Sequence, residues 1–316
     1  MSSQVCLFVS DDLGKYGFPA GHPFGPDRQE AFLDAARARS LDTKVHAMGS
    51  RQAARTEVER FHAAEYVDRV MVKSQQGVGY LDYGDTPAYL GVFEASSHVV
   101  GAALLALEAV MAGQCRRTFQ PIGGLHHARR ERAAGFCVFN DFGVVIETLR
   151  SKYGVKRVAY VDIDVHHGDG VYYPFETDPG VIFADIHEDG DYLYPGTGRA
   201  WEKGKGAAEG TKLNIPMLPG AGDREFLEAW KRVEAHLVKF KPEFFLLQCG
   251  ADSLAGDPIA HLHYSPAAHG HAAKRMCALA HEYAGGKLMA AGGGGYSRKN
   301  IGLAWSAVLE SLIEAP

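Results

Sequence analysis

The feature that most constrains this chain is an apolar segment that runs directly into a cluster of acidic and histidine residues. Residues 158–161 read Val-Ala-Tyr-Val, with Lys156 and Arg157 before them. A short apolar run with such a boundary predicts a buried central strand. The cluster at its carboxyl end consists of Asp162, Asp164, His166, His167 and Asp169. Open α/β sheets bind their ligands at the carboxyl ends of strands, so a functional site is predicted here.

Two side chains of this cluster have the spacing of a metal site. Asp164 and His166 are two residues apart, so on an extended segment their side chains point to the same side. A carboxylate and an imidazole are ligands that zinc accepts, and a cation would offset the cost of burying several charged groups. A surface turn that is merely rich in Asp and His is the alternative, but such a turn rarely follows a strand this apolar.

A second apolar segment has the same organisation. Residues 242–248 are followed by Gly250 and Asp252, so Asp252 is predicted at the same edge of the sheet as Asp164 and His166. Three protein ligands leave a further position for water and substrate, which is typical of a catalytic zinc site. Asp252 by itself would more often be a turn or helix-capping residue, so the prediction depends on the combination.

Two further segments add side chains suited to proton transfer. His126 and His127 follow a glycine pair, and Tyr296 follows four consecutive glycines. The histidines are candidates for a general base and acid, with Asp162 and Asp169 as carboxylate partners that fix the tautomer. Tyr296 is a candidate hydrogen-bond donor to an oxyanion. Solvent-facing loop histidines and a phosphate-binding turn are the alternatives, although the glycine run lacks the GxGxxG spacing.

Strands alternate with helices along the whole chain, which predicts an α/β fold with a parallel sheet covered on both faces. Apolar runs predict seven strands, within residues 5–9, 45–48, 158–162, 181–187, 212–216, 242–248 and 287–291. Residues 88–112 predict one long buried helix. The glycine-rich loops 11–26 and 75–87 are predicted to set the depth of the pocket. Because there is no linker or repeat, residues 1–316 are predicted to form a single domain.

Composition argues against several classes of protein. The net charge of −5 gives no support to a nucleic-acid partner. No uninterrupted apolar run reaches the length of a membrane span and no secretory signal is evident, so no membrane partner is expected. The five cysteines are scattered without a CxxC pair, which indicates neither a disulfide framework nor a cysteine zinc site. Thiols that fill the core and a cytoplasmic location are the simplest expectation.

Taken together, these motifs resemble the zinc-dependent histone deacetylase superfamily, and within it the short bacterial deacetylases of the acetoin-utilisation type. The resemblance extends from residue 22 to the last helix and rests on residues 124–128, 135–137, 162–170, 250–258 and 293–296. It implies an arginase-like, three-layer α/β/α sandwich with an eight-stranded parallel sheet. The implied activity is hydrolysis of an acyl-lysine amide by metal-activated water.

The resemblance also implies a role for each proton-transfer residue. His127 would act as the general base and then as the acid that protonates the leaving amine, with Asp169 behind it. His126, with Asp162 behind it, would assist electrostatically. Tyr296 would donate to the carbonyl oxygen as the tetrahedral intermediate forms.

Three cation sites follow from the same resemblance. One zinc ion per chain would be bound by Asp164, His166 and Asp252. A structural potassium ion would contact, mainly through carbonyl groups, Asp162, Asp164, His166, Asp185 and Ile186. A second monovalent cation would contact Phe175, Asp178 and Val181.

Residues that would contact the substrate are implied as well. Phe136 and Tyr194, beside Gly135, match the aromatic walls that flank an acyl-lysine stem. Asp85 matches the rim aspartate that binds substrate backbone amides, and Arg28 matches the arginine of an internal acetate channel.

Ile259 bears on the choice of substrate. Family members that cleave acetylpolyamines tend to carry an acidic gatekeeper and a long dimer-forming insertion, whereas here an apolar Ile259 follows Asp257-Pro258 and no insertion is evident. This favours an acyl-lysine protein or peptide over a polyamine and leaves a small acylated amine open. Other hypotheses are an arginase-like hydrolase with two manganese ions and a non-catalytic acyl-binding protein. A homo-oligomer is also left open.

Overall fold

An eight-stranded parallel sheet lies at the centre of the computed structural model, which describes residues 5–19 and 21–316. The strands are β1 (Val5–Phe8), β2 (His46–Met48), β3 (Arg117–Gln120), β4 (Val158–Asp162), β5 (Val181–Glu188), β6 (Lys212–Met217), β7 (Phe244–Gln248) and β8 (Leu288–Ala291). Their order across the sheet is β2-β1-β3-β8-β7-β4-β5-β6, and each neighbouring pair is parallel. The predicted α/β fold with an eight-stranded parallel sheet is confirmed.

Ten α-helices occur in the described residues. They are α1 (Asp11–Gly14), α2 (Arg28–Ala38), α3 (Arg55–Val58), α4 (Ala64–Gln76), α5 (Val92–Met111), α6 (Asp141–Tyr153), α7 (Asp169–Tyr172), α8 (Asp223–Phe240), α9 (Pro266–Ala284) and α10 (Arg298–Glu314). The long loop predicted at 11–26 therefore contains a short helix, α1, which begins at the Ser10 cap.

The side chains of β4 show why the sheet is buried on both faces. Val158 and Tyr160 pack into the core on one face, together with residues of α4, α5 and α6. Ala159 and Val161 pack into the core on the other face, together with residues of α2, α8, α9 and α10. A parallel strand between two helical layers must be apolar on both sides, and the sequence of β4 meets that requirement until Asp162.

Helix α5 confirms the long buried helix expected at 88–112, although it begins only at Val92. By length and composition alone α5 could cross a membrane, but core helices meet the same criterion, and 78% of its most apolar 18-residue window is buried inside the protein. Gly101 allows a loop to pass against the helix, since a Cβ there would lie 1.9 Å from the carbonyl oxygen of Arg51.

The expectation that the cysteines form no disulfide and mostly fill the core as thiols is wrong for two of them. Cys6 in β1 forms a disulfide with Cys115, which lies just before β3, while Cys137, Cys249 and Cys277 are free and buried. The two paired residues are 109 positions apart in the sequence. They come together because β1 and β3 are neighbours in the sheet, with Cys6 in register with Thr118.

The strand order brings the predicted functional segments to one place. β3, β8, β7 and β4 are consecutive in the sheet. These are the strands that precede, in that order, the His126-His127 pair, Tyr296, Asp252 and the Asp164-His166 pair. All of these segments therefore leave the same edge of the sheet side by side.

Candidate active site

Three buried side chains converge beyond β4 and β7. One ligand atom each from Asp164, His166 and Asp252 lies within 4.8 Å of the other two. The structure thus brings together the three residues predicted to bind zinc. The convergence comes from a loop, because β4 ends at Asp162 and the backbone N–H of His166 donates to Asp164 Oδ1 over 3.0 Å. Asp164 and His166 therefore converge through the geometry of this loop and not through the extended strand geometry that was assumed from the sequence.

The charges of this trio suit a bound cation. Burial alone would lower the pKa of His166, but the carboxylates of Asp164 and Asp252, 3.0 and 3.2 Å from its Nδ1, raise it to about 10. Burial together with the negative charge of Asp164 raises the pKa of Asp252 to about 7. Oδ2 of Asp252 is buried and has no aligned hydrogen-bond donor among the described residues. The raised pKa values of His166 and Asp252 show that the negative charge of Asp164 and Asp252 favours a positive charge between them. A metal ion bound there would supply that charge and stabilise the buried carboxylates.

The backbone around the trio fixes the carboxylates. A Cβ on Gly250 would lie 2.0 Å from Asp164 Oδ2, and a Cβ on Gly294 would lie 2.0 Å from Asp252 Oδ2. The N–H of Gly294 donates to Asp164 Oδ2 over 2.8 Å. The glycine run thus serves a close approach of the backbone to the carboxylates. Two carboxylates and one imidazole form a donor set that fits zinc.

Two histidine–carboxylate pairs lie next to this trio. His126 Nδ1 is 2.8 Å from Asp162 Oδ2, and His127 Nδ1 is 2.7 Å from Asp169 Oδ1. The Nε2 atoms of the two histidines face each other at 3.1 Å. Each carboxylate fixes its imidazole with Nδ1 as the donor, which leaves both Nε2 atoms at the centre of the site.

The two histidines differ in pKa. Burial disfavours the imidazolium form of both, but the carboxylates of Asp162 and Asp164 raise the pKa of His126 to about 10. For His127, burial and the positive charge of His126 together lower the pKa to about 4, against the opposing effect of Asp169. In the metal-free site His126 is therefore the more readily protonated of the two, and His127 is a neutral imidazole near pH 7 that can accept a proton at Nε2.

Each of the two carboxylates is held in turn by a second side chain. Arg129 donates to Asp169 Oδ2 from Nη2 at 2.5 Å and from Nε at 3.2 Å. Burial opposes ionisation of Asp169, but His127 and Arg129 lower its pKa to about 2. Tyr160 donates its hydroxyl to Asp162 Oδ2 over 2.6 Å. Both aspartates are therefore oriented before any substrate binds.

Tyr296 projects from the end of the glycine run. Its backbone N–H donates to Asp257 Oδ2 over 2.9 Å. Its ring centroid lies 5.9 Å from that of Phe136 and 6.4 Å from that of Phe24. Burial, reinforced by the negative charge of Asp252, raises the pKa of Tyr296 above its usual value. The hydroxyl therefore remains protonated and available as a hydrogen-bond donor.

These side chains enclose a small polar cavity of about 10 Å³. That volume is about what one water molecule needs, and such a water requires polar partners. The cavity supplies them, since its lining includes His126, His127, Asp164, His166 and Tyr296.

Of the residues predicted to flank the substrate stem, Gly135 lines this cavity, while the rings of Phe136 and Tyr194 pack against the lining residues Tyr296 and His127. The ring of Tyr194 packs edge-on against His127, with 5.1 Å between centroids. Gly135 has a φ of 52°, and a Cβ at this position would lie 2.4 Å from Cδ2 of His127. A side chain at Gly135 would therefore displace His127.

A wider groove of about 410 Å³ adjoins the site at the surface, and Asp85 lines it together with Asp82, Arg129, Arg132 and Tyr194. Burial and the neighbouring carboxylate of Asp82 raise the pKa of Asp85 to about 7. The predicted rim residue Asp85 thus lies at the mouth of the site and changes charge near neutral pH.

The other two predicted substrate residues lie in different surroundings. Arg28 is buried beneath the glycine run, where it donates to the carbonyl oxygens of Gly295 over 3.0 Å and Gly293 over 2.5 Å. Arg28 therefore supports the turn that carries Tyr296. Ile259 is partly buried, hydrogen-bonds Asp257 Oδ1 through its N–H over 3.2 Å, and lines neither of the two cavities described above.

The residues predicted for the structural potassium ion lie close together in the sheet. Asp162 and Asp185 are paired in register on β4 and β5, and Ile186 follows on β5. The side chain of Asp185 accepts from the N–H of Gly168 over 2.8 Å and lies 2.7 Å from His187 Nδ1. The carboxylate of Asp185 is therefore already engaged within the protein.

At the second predicted monovalent site the structure places a lysine amino group. Lys212 Nζ donates to the carbonyl oxygens of Asp178 over 2.8 Å and Val181 over 2.7 Å. It also donates to Thr211 Oγ1 over 2.9 Å. Phe175 is buried nearby in the core. The carbonyl groups of two of the three residues predicted for this site thus have an internal donor.

Gln248 is a site residue that the sequence prediction omitted. Its Nε2 donates to Asp164 Oδ2 over 2.8 Å and its Oε1 accepts from the N–H of Gly250 over 2.7 Å. It therefore fixes Asp164 relative to the loop that carries Asp252. A polar residue at the last position of an apolar strand was the signal that could have identified it.

Comparison with known proteins gives consistent results. A sequence model described as "Histone deacetylase domain" matches residues 22–312. The acetoin utilization protein AcuC of Bacillus subtilis is 36% identical over 304 residues, covering 94% of this chain and 78% of that protein. The histone deacetylase clr6 of Schizosaccharomyces pombe is 32% identical over 312 residues, covering 96% of this chain and 75% of that protein.

A solved structure agrees with these sequence matches. The crystal structure of the HDA15 HD domain superposes with a TM-score of 0.88 at 28% sequence identity. The match covers 98% of this chain and 91% of the HDA15 chain. The likeness in fold therefore extends over nearly the whole chain.

Proposed function

The chain belongs to the histone deacetylase family, and on that premise we propose that it is a zinc-dependent deacylase that hydrolyses the amide of acyl-lysine in a protein or peptide, or of a small acylated amine. One observation carries the proposal. The Asp164–His166–Asp252 trio, two histidine–carboxylate pairs and Tyr296 are neighbours, and each contributes at least one residue to the lining of a cavity the size of one water molecule.

Asp164, His166 and Asp252 would hold the zinc ion, which when bound would polarise the amide carbonyl and acidify a water molecule. His127 is neutral near pH 7 and would take a proton from the attacking water at Nε2, then return it to the leaving amine. His126, whose pKa the carboxylates of Asp162 and Asp164 raise, would assist by stabilising negative charge that develops beside it.

Tyr296 and the walls would complete the reaction site. The protonated hydroxyl of Tyr296 would donate to the carbonyl oxygen as it becomes an oxyanion. Phe136 and Tyr194 would flank the aliphatic stem of the substrate and exclude water from it. Of the two adjacent rings, His126 would then act electrostatically and His127 in proton transfer.

A single zinc ion is favoured over the two-manganese alternative. Within residues 5–19 and 21–316, Asp164, His166 and Asp252 are the one group of at least three convergent His, Cys, Asp or Glu ligands. A two-metal site would need further carboxylates to bridge the ions.

Hydrolysis of a substrate panel tests the proposal. Nε-acetyl-, propionyl- and butyryl-lysine peptides and N-acetylpolyamines would be offered to the zinc-loaded protein, and acid and amine release would be quantified. Turnover of acyl-lysine peptides supports the proposed activity and ranks the acyl groups. Turnover of acetylpolyamines alone would transfer the assignment to small amines. Saturable binding of acyl-lysine without turnover of any substrate would favour a non-catalytic acyl-binding protein.

Asp85 leads to a prediction about pH. Its pKa is raised to about 7, so the carboxyl group is protonated below that pH and ionised above it. An ionised carboxylate accepts amide N–H groups more strongly than a neutral carboxyl, so we expect the peptide KM to fall roughly fivefold between pH 6 and pH 8. In Asp85→Asn this dependence of KM should disappear. Parallel KM profiles for wild type and variant would show that Asp85 does not bind the peptide.

We propose that one monovalent cation, bound near Asp162, Asp185 and Ile186, stabilises the loop after β4, and that Lys212 replaces the second one. Lys212→Ala leaves buried carbonyl groups without a donor, which should destabilise the protein by about 1–3 kcal/mol. We expect potassium chloride to raise the Tm of this variant more than choline chloride does at equal ionic strength.

Lys212→Met is the matched control for that variant, because its side chain fills the same space and leaves no room for an ion. It should lose stability, and its gain from potassium should not exceed that of wild type, because only the site near Asp162, Asp185 and Ile186 can still bind the ion. Equal responses of Lys212→Ala and Lys212→Met to potassium would contradict the assignment. Wild type should show a smaller potassium effect than Lys212→Ala, since the amino group of Lys212 already contacts Asp178 and Val181.

The remaining proposals concern partners and location. The preferred partner is an acylated protein, peptide or small amine, with neither nucleic acid nor membrane involved. A cytoplasmic location remains a proposal, and the Cys6–Cys115 disulfide is unusual for a reducing compartment.

A further inference from the structure

We infer that Arg132 forms a carboxylate-binding subsite at the mouth of the active site, so that preferred substrates carry a carboxylate close to the acyl-lysine. The inference rests on the proposed deacylase function and specifies its substrate class. It concerns the groove of about 410 Å³ that Asp85, Arg132 and Tyr194 line together.

The first observation is that Arg132 lacks an internal partner, whereas its neighbours have one. Arg129 donates to Asp169 over 2.5 Å, and Arg130 donates to Glu147 over 2.5 Å and to the carbonyl of Phe61 over 3.0 Å. Among the described residues, no carboxylate lies within ion-pair distance of Arg132 and none of its side-chain N–H groups makes a hydrogen bond. It is only partly exposed. A partly desolvated guanidinium without an acceptor gains from an external anion.

The second observation is the position of Arg132 relative to the chemistry. The groove that it lines also contains Asp169 and Tyr194, which contact or pack against His127. An acyl-lysine that reaches His127 past Tyr194 must therefore leave its backbone, or its own α-carbon groups, in this groove. A groove of this volume has room for such a group beside the walls.

The third observation is the arrangement of charge across the groove. Asp82 is engaged internally, with Oδ1 accepting three backbone N–H groups from residues 84–86 at 3.0 to 3.1 Å. Arg129 is neutralised by Asp169. This leaves Asp85 as an acceptor for N–H groups and Arg132 as the donor for an anion. The groove thus presents one group of each kind to a substrate that has both amides and a carboxylate.

The planar guanidinium of arginine binds a carboxylate through two parallel N–H···O bonds. Two kinds of substrate could supply it: an Asp or Glu side chain next to the acyl-lysine in a peptide, or the α-carboxylate of free Nε-acyl-lysine. Both share the chemistry that Arg132 would recognise, and they differ in whether neighbouring residues are present.

The test compares matched substrates. Nε-acetyl-lysine peptides with Asp, Asn or Lys on either side of the acyl-lysine would be assayed together with free Nε-acetyl-lysine and its carboxamide. Arg132→Gln removes the charge and Arg132→Glu reverses it. Arg232→Gln, at an exposed position on α8, is the control for a change in net charge.

We expect wild type to favour a carboxylate-bearing substrate over its neutral match by roughly three- to tenfold in kcat/KM, mainly through KM, as a partly screened ion pair allows. Arg132→Gln should abolish this preference by lowering kcat/KM for the carboxylate-bearing substrate to that for its neutral match, and Arg132→Glu should favour the Lys peptide. Arg232→Gln should behave as wild type. If the Asp peptides are cleaved faster than the Asn peptides, the carboxylate that Arg132 binds belongs to a flanking acidic residue. If free Nε-acetyl-lysine is cleaved faster than its carboxamide, Arg132 binds the α-carboxylate.

Turnover of all substrates without a carboxylate preference, or a preference that survives in Arg132→Gln, would overturn the inference and leave the deacylase function intact. If wild type cleaves none of these substrates, hydrolysis of acetyl-lysine is excluded from the proposed function, and calorimetric binding of the same compounds still decides the role of Arg132. Tighter binding of the carboxylate-bearing compounds that is lost in Arg132→Gln would support the subsite, and equal affinities would overturn it.

Discussion

Tyr296→Phe is expected to lower kcat for an acyl-lysine peptide by roughly 100- to 1000-fold, the usual effect of removing one oxyanion donor. The substitution removes only the hydroxyl group, so the ring contacts with Phe136 and Phe24 should remain. The backbone N–H bond to Asp257 is also unaffected. Zinc content and Tm should therefore stay close to those of wild type, and KM should change little. Steady-state kinetics with metal analysis on the same samples measure all of these quantities.

Tyr194→Phe is the matched control, because it removes a hydroxyl from the aromatic wall and keeps the edge-on contact with His127. We expect its kcat to stay within a few-fold of wild type, since no oxyanion role is assigned to it. Equal losses in the two variants would show that the effect of Tyr296→Phe is not oxyanion stabilisation. An unchanged kcat in Tyr296→Phe would remove Tyr296 from the mechanism.

Asp252→Asn is expected to weaken zinc binding by more than about 100-fold and to abolish turnover with it. Replacing a residue that only hydrogen-bonds to a metal ligand typically lowers metal affinity by about 10- to 100-fold, and removing a charged ligand itself should lower it further. The fold should survive. Asp252 Oδ1 accepts from the N–H of Val165 over 3.1 Å, and the amide oxygen of asparagine can keep that bond. Oδ2, which has no aligned donor in the described residues, would become an NH2 group.

Asp169→Asn separates metal binding from proton transfer in the same experiment. Asp169 contacts His127 and Arg129 and is not one of the three convergent ligands. We expect this variant to keep its zinc while losing activity, because the tautomer and orientation of His127 are no longer fixed. Full zinc occupancy in Asp252→Asn would contradict the proposed ligand set.

The strands that carry the site could be predicted because the apolar or polar character of each residue matches its burial in the sheet. β4 and β7 are apolar along their lengths and end in polar side chains. Both strands, and the position of the site at their carboxyl ends, were therefore predictable. β3 was not among the predicted strands. It begins with Arg117 and ends with Gln120, and Arg117 is buried only because it donates to the carbonyls of Leu312 and Ala315 on α10 and beyond it. The local sequence pattern around Arg117 cannot predict a hydrogen-bond partner so distant in the chain.

The candidate site likewise contains residues that could be predicted from the sequence and contacts that could not. Asp164, His166 and Asp252 follow strands whose ends could be predicted, and the structure brings them together. The contacts of Gln248 with Asp164 and of Arg129 with Asp169 depend on which strands and loops are neighbours. Strand order is not encoded in any one segment. For the same reason the Cys6–Cys115 pair could not be anticipated from cysteine spacing.

The role of Lys212 shows a limit of reasoning from resemblance. The carbonyl groups of Asp178 and Val181 are present where a cation site was implied, but β6 supplies a lysine whose amino group reaches them. Burial lowers the pKa of Lys212 to about 7, so this amino group is fully charged only below neutral pH. A backbone motif alone therefore does not specify the cation that it binds.

Zinc titration of the metal-free protein, followed by deacetylation of an Nε-acetyl-lysine peptide, tests the central claim most directly. Activity should be absent in the chelated protein, rise in proportion to added zinc and reach its plateau at one ion per chain. A plateau at two ions per chain would support a two-metal hydrolase of the arginase kind. Undiminished activity in protein shown by metal analysis to be free of zinc would contradict the proposed metal-dependent mechanism.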